Sequence, residues 1–327
     1  MTTAFGGLAE DDAGGGAVLA VIEVRGLRKA YGSLVAVDDL DLAVEAAEIF
    51  GVVGPNGAGK TTTVECITGL RVPDSGWIRV LGHDPQRDRD EVRQRVGVQL
   101  QESALPGKIR VREVLGLFGA FYRRPVDIAD LVESLGLAAH QDVYYRALSG
   151  GLKQRLSIAL ALVGDPEVAI LDELTTGLDP HARQETWELI ESVRARGVTV
   201  VVVTHSMEEA ERLCDRVAVI DHGRLVACGT PTELTEQGGG VTRMSFRMAG
   251  PLPEGLLSSL PDVSSVHRHG DTVTVTGVRD VVTDVVLALH GAGIRAREVR
   301  VDSASLEEAF LSLTADPAPS PPADGST

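Results

Sequence analysis

The stretch Gly54-Pro55-Asn56-Gly57-Ala58-Gly59-Lys60-Thr61-Thr62 constrains this chain more than any other, because it fits the pattern Gly, any four residues, Gly-Lys-Ser/Thr. That motif requires a strand before it and a helix after it. Ile49, Phe50, Gly51, Val52 and Val53 supply an apolar run of strand length, and residues 62–70 read as a helix. Glycines at 54, 57 and 59 let the backbone curl so that successive N–H groups converge on phosphate oxygens. The helix opening near Lys60 adds the positive end of its dipole. Lys60 is placed to reach β- and γ-phosphates, Thr61 to give its hydroxyl to Mg²⁺, and Thr62 to add a further phosphate contact.

At 327 residues and 43% hydrophobic content the chain is long enough for one large domain and a smaller one. A formal charge of −16, from 31 Lys+Arg against 47 Asp+Glu, argues against a nucleic-acid backbone as the main partner. No apolar run approaches the roughly 20 residues of a membrane span, and no signal-peptide pattern opens the chain. Direct membrane insertion is therefore not expected, and any membrane role should come through a partner. Cys66, Cys214 and Cys228 lack metal-ligand spacing and read as reduced structural thiols.

Residues 1–20, rich in Gly, Ala and Asp, read as a disordered extension. Strands are expected over 21–25 and 37–44, with Tyr31-Gly32 between them. The tyrosine reads either as packing or as a ring that stacks on adenine. After a turn at 73–76, strands are expected over 77–81 and 96–100, the latter closed by Gln101. Helical spacing takes over from 112 to 137 and reads as a helical insert, which ends at Leu148-Ser149-Gly150-Gly151 before a helix over 152–163. A Ser-Gly-Gly opening a helix is either a helix cap or a second anion site.

Residues 168–173, Val-Ala-Ile-Leu-Asp-Glu, form an apolar run ending in two carboxylates, as a central parallel strand would. Ligands bind at the C-terminal ends of such strands. Asp172 is expected to hold Mg²⁺ through water, and Glu173 to orient or deprotonate a water attacking the γ-phosphate. A second apolar run over 198–203 ends at Thr204-His205, which places His205 at the same edge as a γ-phosphate contact.

The order of Tyr31, the phosphate loop, Gln101, the Leu148–Gly151 run, the 168–173 strand, Gly177-Leu178-Asp179 and His205 resembles the ATP-binding subunit of ABC transporters. The resemblance spans about 21–234. It implies an α/β fold, a P-loop NTPase cassette with a helical subdomain over about 102–165, and ATP with Mg²⁺ as cofactors. By that resemblance Tyr31 stacks on adenine, and Gln101 is the Q-loop residue at the catalytic and metal site. Ser149, Gly150 and Gly151 are the signature that covers the ATP of an opposite subunit, Asp179 belongs to the D-loop, and His205 is the switch histidine. A homodimer of ATPase subunits follows. Leu152 and Leu174 depart from the Gln and Pro common at those places, without removing a phosphate-contacting group.

Within the family, residues 48–51, 54–62 and the run Ser305-Leu306-Glu307-Glu308-Ala309-Phe310 resemble ABC-2 type exporters of the daunorubicin-resistance kind. That implies a separate integral-membrane permease and a peripheral position on the cytoplasmic face. The alternative is an ABC-family ATPase acting without a permease, in DNA repair or translation. Beyond the cassette, expected over 21–237, lies Gly238-Gly239-Gly240 and an accessory domain over 241–314. Its strands at 241–247, 263–268, 272–276 and 294–301 and helices at 254–260 and 278–290 give the order β-α-β-β-α-β, a small α+β, ferredoxin-like unit. A short helix follows at 305–313, and a disordered tail at 315–327. The domain carries no catalytic constellation and is expected to pack on its own cassette or its dimer mate.

Overall fold

The structure, a computed structural model, describes residues 20–99, 105–278, 281–302 and 305–314. Gln101, the tail at 315–327 and all of the expected extension except Ala20 lie outside the described residues. The described residues open with β1 (Ala20–Tyr31), β2 (Leu34–Glu45), β3 (Ile49–Val53), α1 (Lys60–Ile67), β4 (Ser75–Val80), α2 (Arg89–Arg95) and β5 (Val96–Gln99). Next come α3 (Val111–Gly119), α4 (Ile128–Ser134), α5 (Gly150–Leu162), β6 (Val168–Asp172), α6 (Pro180–Ala195), β7 (Thr199–Thr204) and α7 (Met207–Leu213). Then follow β8 (Arg216–Asp221), β9 (Arg224–Gly229), α8 (Pro231–Gln237), β10 (Thr242–Arg247), β11 (Val263–His269) and β12 (Thr272–Gly277). α9 (Val281–Gly291), β13 (Arg297–Asp302) and α10 (Leu306–Thr314) complete the order.

A strand whose interior is continuously apolar must be covered on both faces, and β3, β6 and β7 are buried at every position. They are the centre of a six-stranded sheet ordered β5-β6-β7-β3-β8-β9, parallel except for β9. Because side chains alternate along a strand, each central strand feeds two cores. Phe50, Val52, Ile170, Val201 and Val203 meet α1 and the three-stranded antiparallel sheet β2-β1-β4. Ile49, Leu171, Val200 and Val202 meet α5, α6 and α7 on the other side.

The helical spacing over 112–137 resolves into two helices, α3 and α4. The break contains Pro125, which has no N–H to continue a helix, and Asp127 restarts it by accepting the Ala129 N–H at 2.7 Å.

In the C-terminal region the strands pair in the order β11-β12-β10-β13, all antiparallel. The helix expected over 254–260 is not formed. Those residues turn instead, with Pro253 before them and Gly255 in the left-handed region at φ 79°, and Leu257 still reaches the core of Met244, Phe246, Val273 and Val275. Helix α10 leaves this core altogether and packs on α7, α8 and β9. Leu306 is fully buried in the core beneath the larger sheet, and its N–H donates to Glu211 Oε2 at 3.3 Å. Leu306→Ala is therefore expected to destabilise that core by about 2–5 kcal/mol in denaturant unfolding. A loss under about 1 kcal/mol would mean that α10 lies on the surface without supporting it.

Candidate functional site

The adjacency of β6, β7 and β3 assembles the site. Val53 pairs with Thr204 and Asp172 with Val203, so three parallel strands end at one level and deliver the glycine loop, the two carboxylates and His205 to one edge. A cleft of about 630 Å³ opens there. Asn56, Gly57, Gly59, Lys60, Thr61 and Thr62 of the glycine loop and α1 line it. So do Asp172, Glu173 and His205, together with Tyr31, Leu34 and Ala36. Thr176, which the sequence reading passed over, also lines it.

The loop is held by its own backbone. Gly59 caps α1 at φ 100°, with no side-chain cap, which leaves the first-turn N–H groups for an anion. A side chain at Gly59 would collide with the Ala36 carbonyl, and one at Gly54 with the Ile220 carbonyl. Lys60 is buried, and its Nζ donates to the carbonyls of Gly54 at 2.7 Å and Pro55 at 2.9 Å. Gly54 and Pro55 thus shape the loop from beneath, and Ala58 is packed into the core. Burial lowers the Lys60 titration from its ordinary value, against the pull of Glu173 and Asp172.

Glu173 sits at φ 49°, a left-handed conformation that costs a non-glycine residue about 1 kcal/mol or more and is held here by its N–H donating to Val203 O at 2.8 Å. Its Oε1 lies 3.1 Å from His205 Nδ1. Gln99, missed in the sequence, is buried beside them, and its Oε1 accepts the Asp172 N–H at 3.2 Å. Asp172 is buried with no hydrogen-bond partner on Oδ2 among the described residues. Burial first, then the Glu173 carboxylate, push Asp172 up from 3.8 to about 6, against the pull of Lys60.

The folded protein therefore binds the Asp172 proton more tightly than the unfolded chain does. This group's contribution falls as pH rises from about 4 to about 6, and the deficit is complete above that. In nucleotide-free protein, Asp172→Asn is expected to raise the melting temperature at pH 8 by roughly 2–6 °C, and by less at pH 5. An equal or lower melting temperature at pH 8 would contradict this reading of the buried carboxylate.

Ser149, Gly150, Gly151 and Asp179 line a different cleft of about 540 Å³, which shares no residue with the first. Ser149 caps α5 by accepting the Leu152 N–H at 3.3 Å. Asp179 caps α6 by accepting the N–H groups of His181 and Ala182, both at 3.0 Å, and these bonds hold its carboxyl below the usual range. Leu152 faces the same cleft, whereas Leu174 is fully buried in the core.

A family model described as ABC transporter matches residues 37–176. A daunorubicin resistance ATP-binding protein of Streptomyces coeruleorubidus is 41% identical over 305 residues, covering 90% of this chain and 96% of the relative. A Nod factor export ATP-binding protein of Cupriavidus metallidurans is 40% identical, covering 90% and 97%. Among solved structures, a dimeric bacterial ABC transporter cassette matches with a TM-score of 0.57 and 25% identity, covering 64% of this chain and 98% of that one. A phosphate loop, a carboxylate pair and a histidine at one strand edge, in a chain this similar to such relatives, place it in the ABC transporter family as an ATP-binding subunit with ATPase activity.

Proposed function

We propose that the chain energises an ABC-2 type exporter: two copies close on ATP and drive a separate integral-membrane permease. The observation that carries this reading is the separation of the two clefts. A signature surface that shares no residue with its own phosphate cleft is placed to cover the nucleotide of a second copy. Two-fold pairing would set the Ser149–Gly151 run of one copy over the Lys60 cleft of the other, and reciprocally. The dimeric cassette among similar structures supports this.

In each composite site Lys60 and the α1 N-terminus would neutralise the phosphates, and Tyr31 would stack on adenine. Glu173 would take the proton of the attacking water, and His205, held by Glu173, would contact the γ-phosphate. The Asp172 Oδ2 atom, which has no partner among the described residues, fits a Mg²⁺ site that Thr61 and, from outside the described residues, Gln101 would complete. When bound, Mg²⁺ would supply further positive charge against the phosphates.

The proposed organisation is a cassette over 21–237 with a helical subdomain over about 102–165, and an accessory domain over 241–314 that returns α10 to the cassette. No helix among the described residues is long and apolar enough to cross a membrane, which suits peripheral attachment at the cytoplasmic face through the permease. The relatives' names, daunorubicin resistance and Nod factor export, favour export of drugs or other hydrophobic compounds. No observation favours a permease-free role in DNA repair or translation. Fractionation tests the reading: the chain should sediment with membranes only when its permease is co-expressed. Membrane association in cells lacking every candidate permease would contradict it.

A further inference from the structure

Tyr31 ends β1 just before the turn to Leu34, and at 39% exposure no packed core fixes its ring. Two cations do so instead. The Arg71 guanidinium carbon lies 5.4 Å from the ring centroid, and Lys29 Nζ lies 5.7 Å from it, both within cation–π range. Tyr31 lines the phosphate cleft, whereas neither of the two cations does.

Each cation is itself anchored. Arg71 Nε donates to Glu65 Oε2 at 2.6 Å, and Glu65 lies on α1, the helix that opens with Lys60. Lys29 Nζ donates to Asp74 Oδ1 at 2.8 Å, while Asp74 Oδ2 accepts the Ala30 N–H at 2.7 Å. The aromatic ring is thus tied through Arg71 to the element that holds the phosphate loop. An exposed tyrosine without such ties would lose rotamer freedom each time it stacked on a ligand, and ordering it beforehand removes that cost.

We infer that Arg71 and Lys29 are positioning residues for the nucleotide base: they hold Tyr31 in the orientation from which it stacks on adenine, at a fixed distance from the phosphate loop. The inference rests on the assignment of Tyr31 as the base-stacking residue. It concerns the base alone, so its signature is a change in KM for ATP without a change in the handling of phosphates.

The test is steady-state ATPase kinetics of the full chain, with inorganic triphosphate, which has no base, as a competing inhibitor. Arg71→Met is expected to raise KM for ATP about three- to tenfold. It should leave kcat and the inhibition constant of triphosphate unchanged, and Arg71→Lys should restore most of the affinity. Lys29→Met, which leaves the Glu65 pairing intact, should act in the same direction and carries the test if Arg71→Met does not fold. An unchanged KM in both methionine variants, with a raised KM in Tyr31→Ala, would overturn the inference and leave base stacking standing. An unchanged KM in Tyr31→Ala would overturn the stacking assignment itself, and this inference with it. A parallel weakening of triphosphate inhibition would show that Arg71 supports the α1 helix rather than the base, and would also overturn it.

Discussion

Glu173→Gln is expected to lower ATP turnover by about 10²–10⁴-fold while leaving ATP binding in place. The substitution keeps the size of the side chain and its capacity to accept a hydrogen bond, but removes the group able to take a proton from water. Its surroundings argue for that role over a solvated strand end. The residue stands in a left-handed conformation, beside the Asp172 oxygen that has no partner among the described residues, and in contact with His205. Such strain persists only where surrounding structure holds it, here the hydrogen bond to Val203. Turnover within tenfold of the unsubstituted protein would remove Glu173 from the chemistry.

Lys60→Ala is expected to weaken ATP binding by about 2–5 kcal/mol, a Kd at least about 30-fold higher, and turnover should fall with it. Lys60 has two tasks, and alanine ends both. It is the cation beside Asp172 and Glu173, and its Nζ ties down the carbonyls of Gly54 and Pro55 that give the loop its curl. Titration with a fluorescent nucleotide, alongside a melting curve to show that the variant is folded, measures the loss. A folded Lys60→Ala protein with unchanged affinity would refute the phosphate-loop assignment.

The site was legible in the sequence wherever chemistry and strand burial coincide. Apolar runs at 49–53 and 168–172 ending in a glycine loop or carboxylates announce both a buried strand and what stands at its tip, and the structure places them there. What the spacing could not give was adjacency. That His205 meets Glu173, 32 residues earlier in the chain, depends on β7 lying between β6 and β3. Gln99 was hidden because a polar residue within a short strand gives no sign of which backbone group it will serve, and here it serves Asp172. Nor could a lone Tyr31 reveal Lys29 and Arg71 beside its ring.

In the C-terminal region alternation marks strands that the structure forms at Thr242–Arg247, Val263–His269 and Thr272–Gly277, but helical spacing misleads at 254–260, where Pro253 and Gly255 outweigh the apolar spacing of Leu256, Leu257 and Leu260. The run from Ser305 to Phe310 resembles exporters in sequence. Its physical role, placing Leu306 in the core beneath the larger sheet, needed coordinates.

The claim that each catalytic site is shared between two copies is tested most directly by light scattering of Glu173→Gln protein with ATP and Mg²⁺, since blocked turnover should trap the closed pair. The account predicts a mass near twice that of the chain with ATP, and near that of a single chain without it. A single-chain mass in the presence of bound ATP would contradict it.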